Sequence, residues 1–361
     1  MSLSSLHGGD VWLVERALGL RAENVIDFSS NVNPYGPSLK AIKALLDKVW
    51  MLSAYPDDGA EALKERLAEH YGLKSSNFVI GNGSTEIIYM FSMLVVKEGP
   101  VGMHIPTFSE YERAVVAYGG RCLFTRPHVY DQPSVEELVE LMGRGARALF
   151  LCNPNNPNGA VMRPNDVEEL LCEADKRGVY VLLDEDFVEL ADESSARSFA
   201  SEVERFDRLV VLRSFSKSHG LAGLRVGYAI ASEEVVERLE SLRIRWNVSL
   251  LAQEAAIAAL DDVEHVEAAR RLVRQEKPRL VEELGEVGWL KPIYGYANFL
   301  LLELTERFTS PGLKVELAQR GLLVRDCSNF RGLSDKYVRV AVKRPWENER
   351  LVRALKELSD D

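Results

Sequence analysis

The stretch 214-SFSKSHGLAGLRVGY-228 places one amine, Lys217, just after the hydroxyls of Ser214 and Ser216 and eight residues before the guanidinium of Arg225. It follows directly on the apolar run 209-LVVLR-213, so a buried strand delivers the lysine to its end. Such a group suits either phosphate binding or covalent attack on a carbonyl. Three further segments narrow the choice. Asp184 ends an apolar run and opens 184-DEDF-187, and a carboxylate there needs a partner, with a metal ion and a protonated ring nitrogen as the two alternatives. The turn 81-GNGSTE-86 leads into a helix whose free N–H groups and positive dipole end attract phosphate. The loop 153-NPNNPNG-159 stiffens its backbone with prolines and aims asparagine amides outward. A phosphate-bearing aldehyde would use three of these: Lys217 joins the aldehyde, the helix start with the serines and Arg225 holds the phosphate, and Asp184 pairs with a pyridinium. That is the chemistry of pyridoxal 5′-phosphate.

These residues need elements to carry them. Between residues 78 and 230, seven short apolar runs (78–81, 100–105, 120–125, 148–152, 180–185, 209–215 and 225–230) alternate with helix-length amphipathic segments. The runs are continuous rather than alternating, as expected of strands buried on both faces in a mostly parallel sheet. The segment 84–97 opens with a Ser/Thr cap, and 164–178 starts with proline and ends with glycine, so both predict helices. Residues 263–288 predict a long charged helix interrupted at its proline. Beyond it, strands at 297–304, 322–327 and 336–342 with helices at 311–321 and from Pro345 form a small α+β unit. The expected division is an N-terminal arm and segment over 1–45 packing on the small domain, a large α/β cofactor domain with a seven-stranded sheet over 46–260, and the small domain over 261–361. An open sheet of this kind binds ligands beyond the carboxyl ends of its strands, where Lys217, Asp184 and the asparagine loop lie.

Composition sets outer bounds. The 361 residues are 46% hydrophobic and 27% charged with a formal net charge of −11, which argues against a nucleic-acid surface. The four cysteines, Cys122, Cys152, Cys172 and Cys327, form no CxxC pair and no zinc spacing, so reduced thiols, no metal and a cytoplasmic setting are expected. The run 89-YMFSMLVV-96 is too short to cross a bilayer, so no membrane partner is expected.

Over nearly its whole length the chain resembles the fold-type I pyridoxal-phosphate enzymes of the aminotransferase class I/II group, and within it the branch of histidinol-phosphate aminotransferases and threonine-phosphate decarboxylases. The resemblance is carried in order by 27-DFSSNVNPYGP-37, 54-AYPD-57, 81-GNGSTE-86, 106-PTFSEYERA-114, 153-NPNNPNG-159, 184-DEDF-187, 214-SFSKSHGLAGLRVGY-228, 297-ANFLLL-302 and 322-LLVRDCSNFRGL-333. It implies that Lys217 joins the cofactor, Asp184 meets the ring nitrogen, Asn156 bonds the ring 3′-oxygen and Phe108 stacks on the ring. It implies phosphate contacts at Ser84, Thr85, Ser214, Ser216 and Arg225, with Tyr55 reaching in from a second subunit of a homodimer with shared sites. Arg339 and Arg325 are implied as anion sites for a phosphorylated amino-acid substrate, with Asn33 and His7 also at the substrate.

One departure stands out. Phe187 occupies a position where aminotransferases usually place a tyrosine that bonds the 3′-oxygen, and losing that bond is worth about 0.5–1.5 kcal/mol. Phe187, the early 6-LHGGD-10 and the 326–343 segment resemble the decarboxylases more. The resulting expectation is decarboxylation of L-threonine O-3-phosphate to (R)-1-amino-2-propanol phosphate for the cobalamin side chain. Histidinol-phosphate transamination is the alternative, and a non-catalytic binding protein of the same fold a remote one.

Overall fold

The computed structural model describes residues 8–191, 196–305 and 307–360, with the side chain of residue 360 left out. Thirteen strands build three sheets. The first strand, β1 (Ile26–Asp27), is followed by β2 (Phe78–Gly81), β3 (Val101–Ile105), β4 (Cys122–Pro127), β5 (Ala148–Cys152), β6 (Tyr180–Asp184), β7 (Leu209–Ser214) and β8 (Gly227–Ala231). Strands β2 to β8 form one seven-stranded sheet in the order β2-β8-β7-β6-β5-β3-β4. It is parallel except at β8, which runs antiparallel to β2 and β7. All seven expected runs are strands of this sheet.

The continuous apolar pattern has the reason expected of it. Successive side chains of a strand point to opposite faces, and in β7 Leu209 and Val211 enter one core cluster while Val210 and Leu212 enter another. Helices including Glu61–Tyr71 and Pro164–Lys176 cover one face, and Gly83–Val95 and Ser109–Ala117 the other.

Strands β9 (Leu290–Ile293), β10 (Phe299–Leu304), β11 (Leu322–Leu323), β12 (Arg325–Asp326) and β13 (Tyr337–Ala341) follow. Four of them make an antiparallel sheet ordered β12-β13-β10-β9, and β11 pairs in parallel with β1. Through that pairing, and through Val14 packed with Ala318 and Leu323, the N-terminal segment lies on the C-terminal part of the chain. Registers Arg325↔Arg339 and Leu301↔Arg339 bring the two arginines side by side on neighbouring strands.

The long helix departs from expectation. Val263–Gly285 is continuous through Pro278. Its buried face (Val266, Ala269, Val273, Lys277, Leu280, Leu284) runs on past the proline, which sits on the exposed side, so packing holds both halves in line. Among the described residues no helix is long and apolar enough to cross a membrane.

Candidate active site

A cavity opens where β5, β6 and β7 end, facing β12 and β13 of the smaller sheet. Lys217, Asp184, Asn156, Phe108, Ser84 and Thr85 line it, as do Ser216, Arg225, Arg325 and Arg339. Ten of the expected site residues, from segments scattered over 256 positions of sequence (84 to 339), thus meet at one place.

Each is placed by local structure. Gly83, at φ +72°, starts the helix of Ser84 and Thr85, and a Cβ there would lie 2.1 Å from Nη2 of Arg225. Only glycine allows that guanidinium to lie over the helix start. Arg225 itself is left-handed (φ 55°), and its Nη1 donates to Ser216 Oγ at 3.4 Å. Asn156 is held by the loop around it. Asn155 Nδ2 donates to Pro106 O at 2.9 Å and to Asn158 Oδ1 at 2.8 Å, and Thr107 Oγ1 donates to Asn155 Oδ1 at 2.9 Å.

Asp184 is 4% exposed. Tyr111 donates its hydroxyl to Oδ2 at 2.5 Å and the Asp186 N–H donates to Oδ1 at 3.0 Å. Burial raises the Asp184 pKa to about 7, and the nearby Asp186 charge adds to it. Lys217 is moved the other way: burial lowers its pKa, as do Arg339 and Arg225, while Asp186 and Asp184 oppose the shift. Arg339, 6% exposed, donates to Asn156 Oδ1 and, from Nη2, to Ser29 O at 2.8 Å, and its Nε has no partner. Burial lowers its pKa to about 10, and neighbouring Arg325 contributes. Arg325, 3% exposed, donates to Asp326 O and to Asn329 Oδ1 (2.8 Å) and lies 5.0 Å over the Phe330 ring.

Two of the expected site residues, Ser214 and Asn33, lie off this cavity, and two others, Tyr55 and His7, are not part of its described lining. Ser214 does not line the cavity. Its hydroxyl donates to Asp186 and accepts from Ser216 N at 3.1 Å, while Ser216 and the helix start line the cavity. Asn33 is buried beneath the lysine loop rather than at the cavity. Its N–H donates to Lys217 O (2.8 Å) and its Nδ2 to Ser218 O (2.7 Å), which makes it a clamp on the lysine's backbone. The clamp has a second jaw, because Ser218 donates to Glu189, which pairs with Arg213 at 3.1 Å. Tyr55 is 79% exposed, packed 5.0 Å from Trp246 and away from this chain's own cavity. His7 lies outside the described residues, although the adjacent Gly8 borders the cavity.

Sequence reasoning missed Tyr111 and Asp186. Both sit inside quoted motifs, 106-PTFSEYERA-114 and 184-DEDF-187, but only the fold shows that Tyr111 points from its helix to the end of β6.

The donor set fits pyridoxal 5′-phosphate. Among the described residues no cationic nitrogen lies within salt-bridge distance of Asp184, so the protonated ring nitrogen of the cofactor would fit as the partner that burial calls for. The Gly83 cradle, Ser216 and Arg225 offer an anion site in the same cavity that Lys217 and Asp184 line.

Comparison with known proteins agrees. Residues 23–355 match the aminotransferase class I and II family. Histidinol-phosphate aminotransferase 2 of Carboxydothermus hydrogenoformans is 37% identical over 356 residues, covering 97% of this chain and 94% of that protein. The crystal structure of the histidinol-phosphate aminotransferase from Clostridium acetobutylicum superposes with a TM-score of 0.85 at 28% identity, covering 92% of this chain and 98% of the other. That of L-threonine-O-3-phosphate decarboxylase from Porphyromonas gingivalis gives 0.83 at 27%, covering 92% and 99%. The cofactor is pyridoxal 5′-phosphate, and the chain belongs to the aminotransferase class I and II family.

Proposed function

We propose that the protein transfers the amino group of histidinol phosphate to 2-oxoglutarate. The observation that carries this reading is the pair of neighbouring buried arginines, Arg325 and Arg339, over a cavity whose chain-wide relatives include histidinol-phosphate aminotransferases. Their two positive charges match one phosphate dianion, which carries about −1.5 to −2 at neutral pH. Threonine phosphate would meet the same pair, so the arginines serve either substrate, and it is the chain-wide relatives that favour the aminotransferase reading. The first expectation from sequence, decarboxylation, therefore becomes the second reading. It keeps the support of Phe187, whose ring meets Phe299 at 5.1 Å where a phenol would bond the cofactor, and of the decarboxylase fold neighbour.

When bound, the cofactor withdraws electrons from the substrate carbon bearing the nitrogen. Asp184, fixed by Tyr111, would pair with the cofactor's ring nitrogen. Phe108 and Asn156 would hold the ring, and Asn156 Oδ1 also receives Arg339, which would tie substrate anchoring to ring placement. Lys217 Nζ would take up and return the proton of the substrate carbon. Arg325 and Arg339 fix the substrate's far end, and that orientation selects the bond that breaks.

We further propose a homodimer with shared sites. Leu46, Trp50, Leu52, Tyr55 and Ile244 are large apolar side chains left exposed, a pattern typical of an interface. Tyr55 would then serve the partner's cavity. The test of function is a product assay. Histidinol phosphate with 2-oxoglutarate should yield glutamate, and L-threonine phosphate alone should yield no CO2. Release of CO2 and aminopropanol phosphate without glutamate formation would establish the second reading instead.

A further inference from the structure

A second carboxylate lines the cavity that holds Lys217. Asp186 follows the end of β6 and lines the same cavity as Lys217 and Asp184. Ser214, the last residue of β7, donates its hydroxyl to Asp186 Oδ1, and the same Ser214 oxygen accepts from Ser216 N at 3.1 Å. The carboxylate is thereby tethered to the segment that carries Lys217. Phe187, its neighbour in sequence, places its ring 5.9 Å from Lys217 Nζ.

The charges around Lys217 come from five elements. Arg225 precedes β8, Arg325 and Arg339 lie on β12 and β13, Asp184 ends β6 with Asp186 just after it, and the phenol of Tyr111 comes from the helix Ser109–Ala117. The arginines and burial disfavour the ammonium form. Asp184 is committed to Tyr111 and, with cofactor bound, to the ring nitrogen. Asp186 is then the negative charge left to face the lysine among these groups.

We propose that Asp186, tethered by Ser214, is a positioning residue that serves as counter-ion to Lys217, holding the ammonium between taking a proton from substrate carbon and returning it. Burial and the arginines lower the lysine's pKa, and Asp186 is the largest of the charges opposing them. The inference rests on Lys217 being the lysine that joins the cofactor, and it goes beyond the reading above by giving a role to a residue outside the quoted phosphate and ring contacts.

The test uses cofactor-free protein and trace acylation of Lys217 by acetic anhydride across a pH series, read by peptide mass spectrometry. Only the neutral amine reacts. Asp186→Asn should move the midpoint of Lys217 labelling down by about one pH unit or more, about tenfold greater reactivity near neutrality, and Asp186→Glu should restore it towards wild type. A midpoint unchanged or moved upward in Asp186→Asn overturns the proposal. Should that variant not fold, Ser214→Ala, which loosens the tether, should shift the midpoint in the same direction by less, and no shift there overturns it equally. Loss of the holoenzyme's visible absorbance in Lys217→Ala tests the underlying assignment separately, so failure of the Asp186 result alone leaves that assignment standing.

Discussion

Replacing Arg339 by methionine separates an arginine kept for substrate from one kept for the fold. The residue is 6% exposed, and burial lowers its pKa from the ordinary guanidinium value to about 10. At 1.36 kcal/mol per pH unit, that difference is a penalty of about 3 kcal/mol on the folded protein. For a base with a lowered pKa the penalty is complete below the folded value and lifts as pH rises through it, so near pH 7 all of it is present. Opposing it are the bonds to Ser29 O and Asn156 Oδ1, worth about 1–1.5 kcal/mol each. The two sides nearly cancel, so Arg339→Met should melt within about 1 kcal/mol of wild type in the cofactor-free form. Substrate loses two charge-assisted bonds, about 3–6 kcal/mol together, so kcat/KM for histidinol phosphate should fall by about two to four orders of magnitude. Thermal denaturation and steady-state kinetics on the same preparation read both. A loss of more than about 3 kcal/mol in stability with kcat/KM within about tenfold of wild type would refute the reasoning and make Arg339 a structural residue.

Other perturbations follow from the same geometry. Asp184 has its pKa raised from 3.8 to about 7, so its stabilising contribution is complete below its unfolded value and is lost as pH rises through about 7. Cofactor-free wild type should therefore lose stability relative to Asp184→Asn between about pH 4 and 7 and level off above that, and parallel melting curves across this range would contradict this. Gly83→Ala puts a methyl 2.1 Å from Arg225 Nη2 at a left-handed φ, and should weaken cofactor retention at least tenfold by equilibrium dialysis. Asn33→Ala removes the bond to Ser218 O while the backbone bond to Lys217 O stays; kcat should drop by about an order of magnitude with KM little changed, whereas a rise in KM alone would return Asn33 to the substrate. Tyr55→Phe should weaken cofactor binding only in preparations that sediment as dimers.

Much of the site was legible in the sequence because each strand of the large sheet is a continuous apolar run, and the chemistry-bearing residues follow the runs directly. Lys217, Asp184 and Asn156 could be placed at one end of the sheet from that alone. What was not legible depends on side-chain direction. Ser214 and Ser216, two residues apart, would share a face if the strand continued, but β7 ends at Ser214 and the chain turns there, so Ser214 bonds Asp186 while Ser216 lines the cavity. Asn33 sits in a motif that reads as ligand-binding, and only the three-dimensional return of the N-terminal segment puts it under the lysine loop. Pro278 reads as a break because sequence shows the lost N–H but not the packing on both sides of it. Arg325 and Arg339 are fourteen residues apart, and their approach is a consequence of the β12–β13 register.

The most direct test of the account is reduction of the cofactor-loaded protein with borohydride, followed by proteolysis and mass spectrometry of the labelled peptide. The account predicts a stable phosphopyridoxyl group on Lys217 within 214-SFSKSHGLAGLR-225, in close to one copy per chain. Label on another lysine, or none on a protein that retains the cofactor, would contradict it.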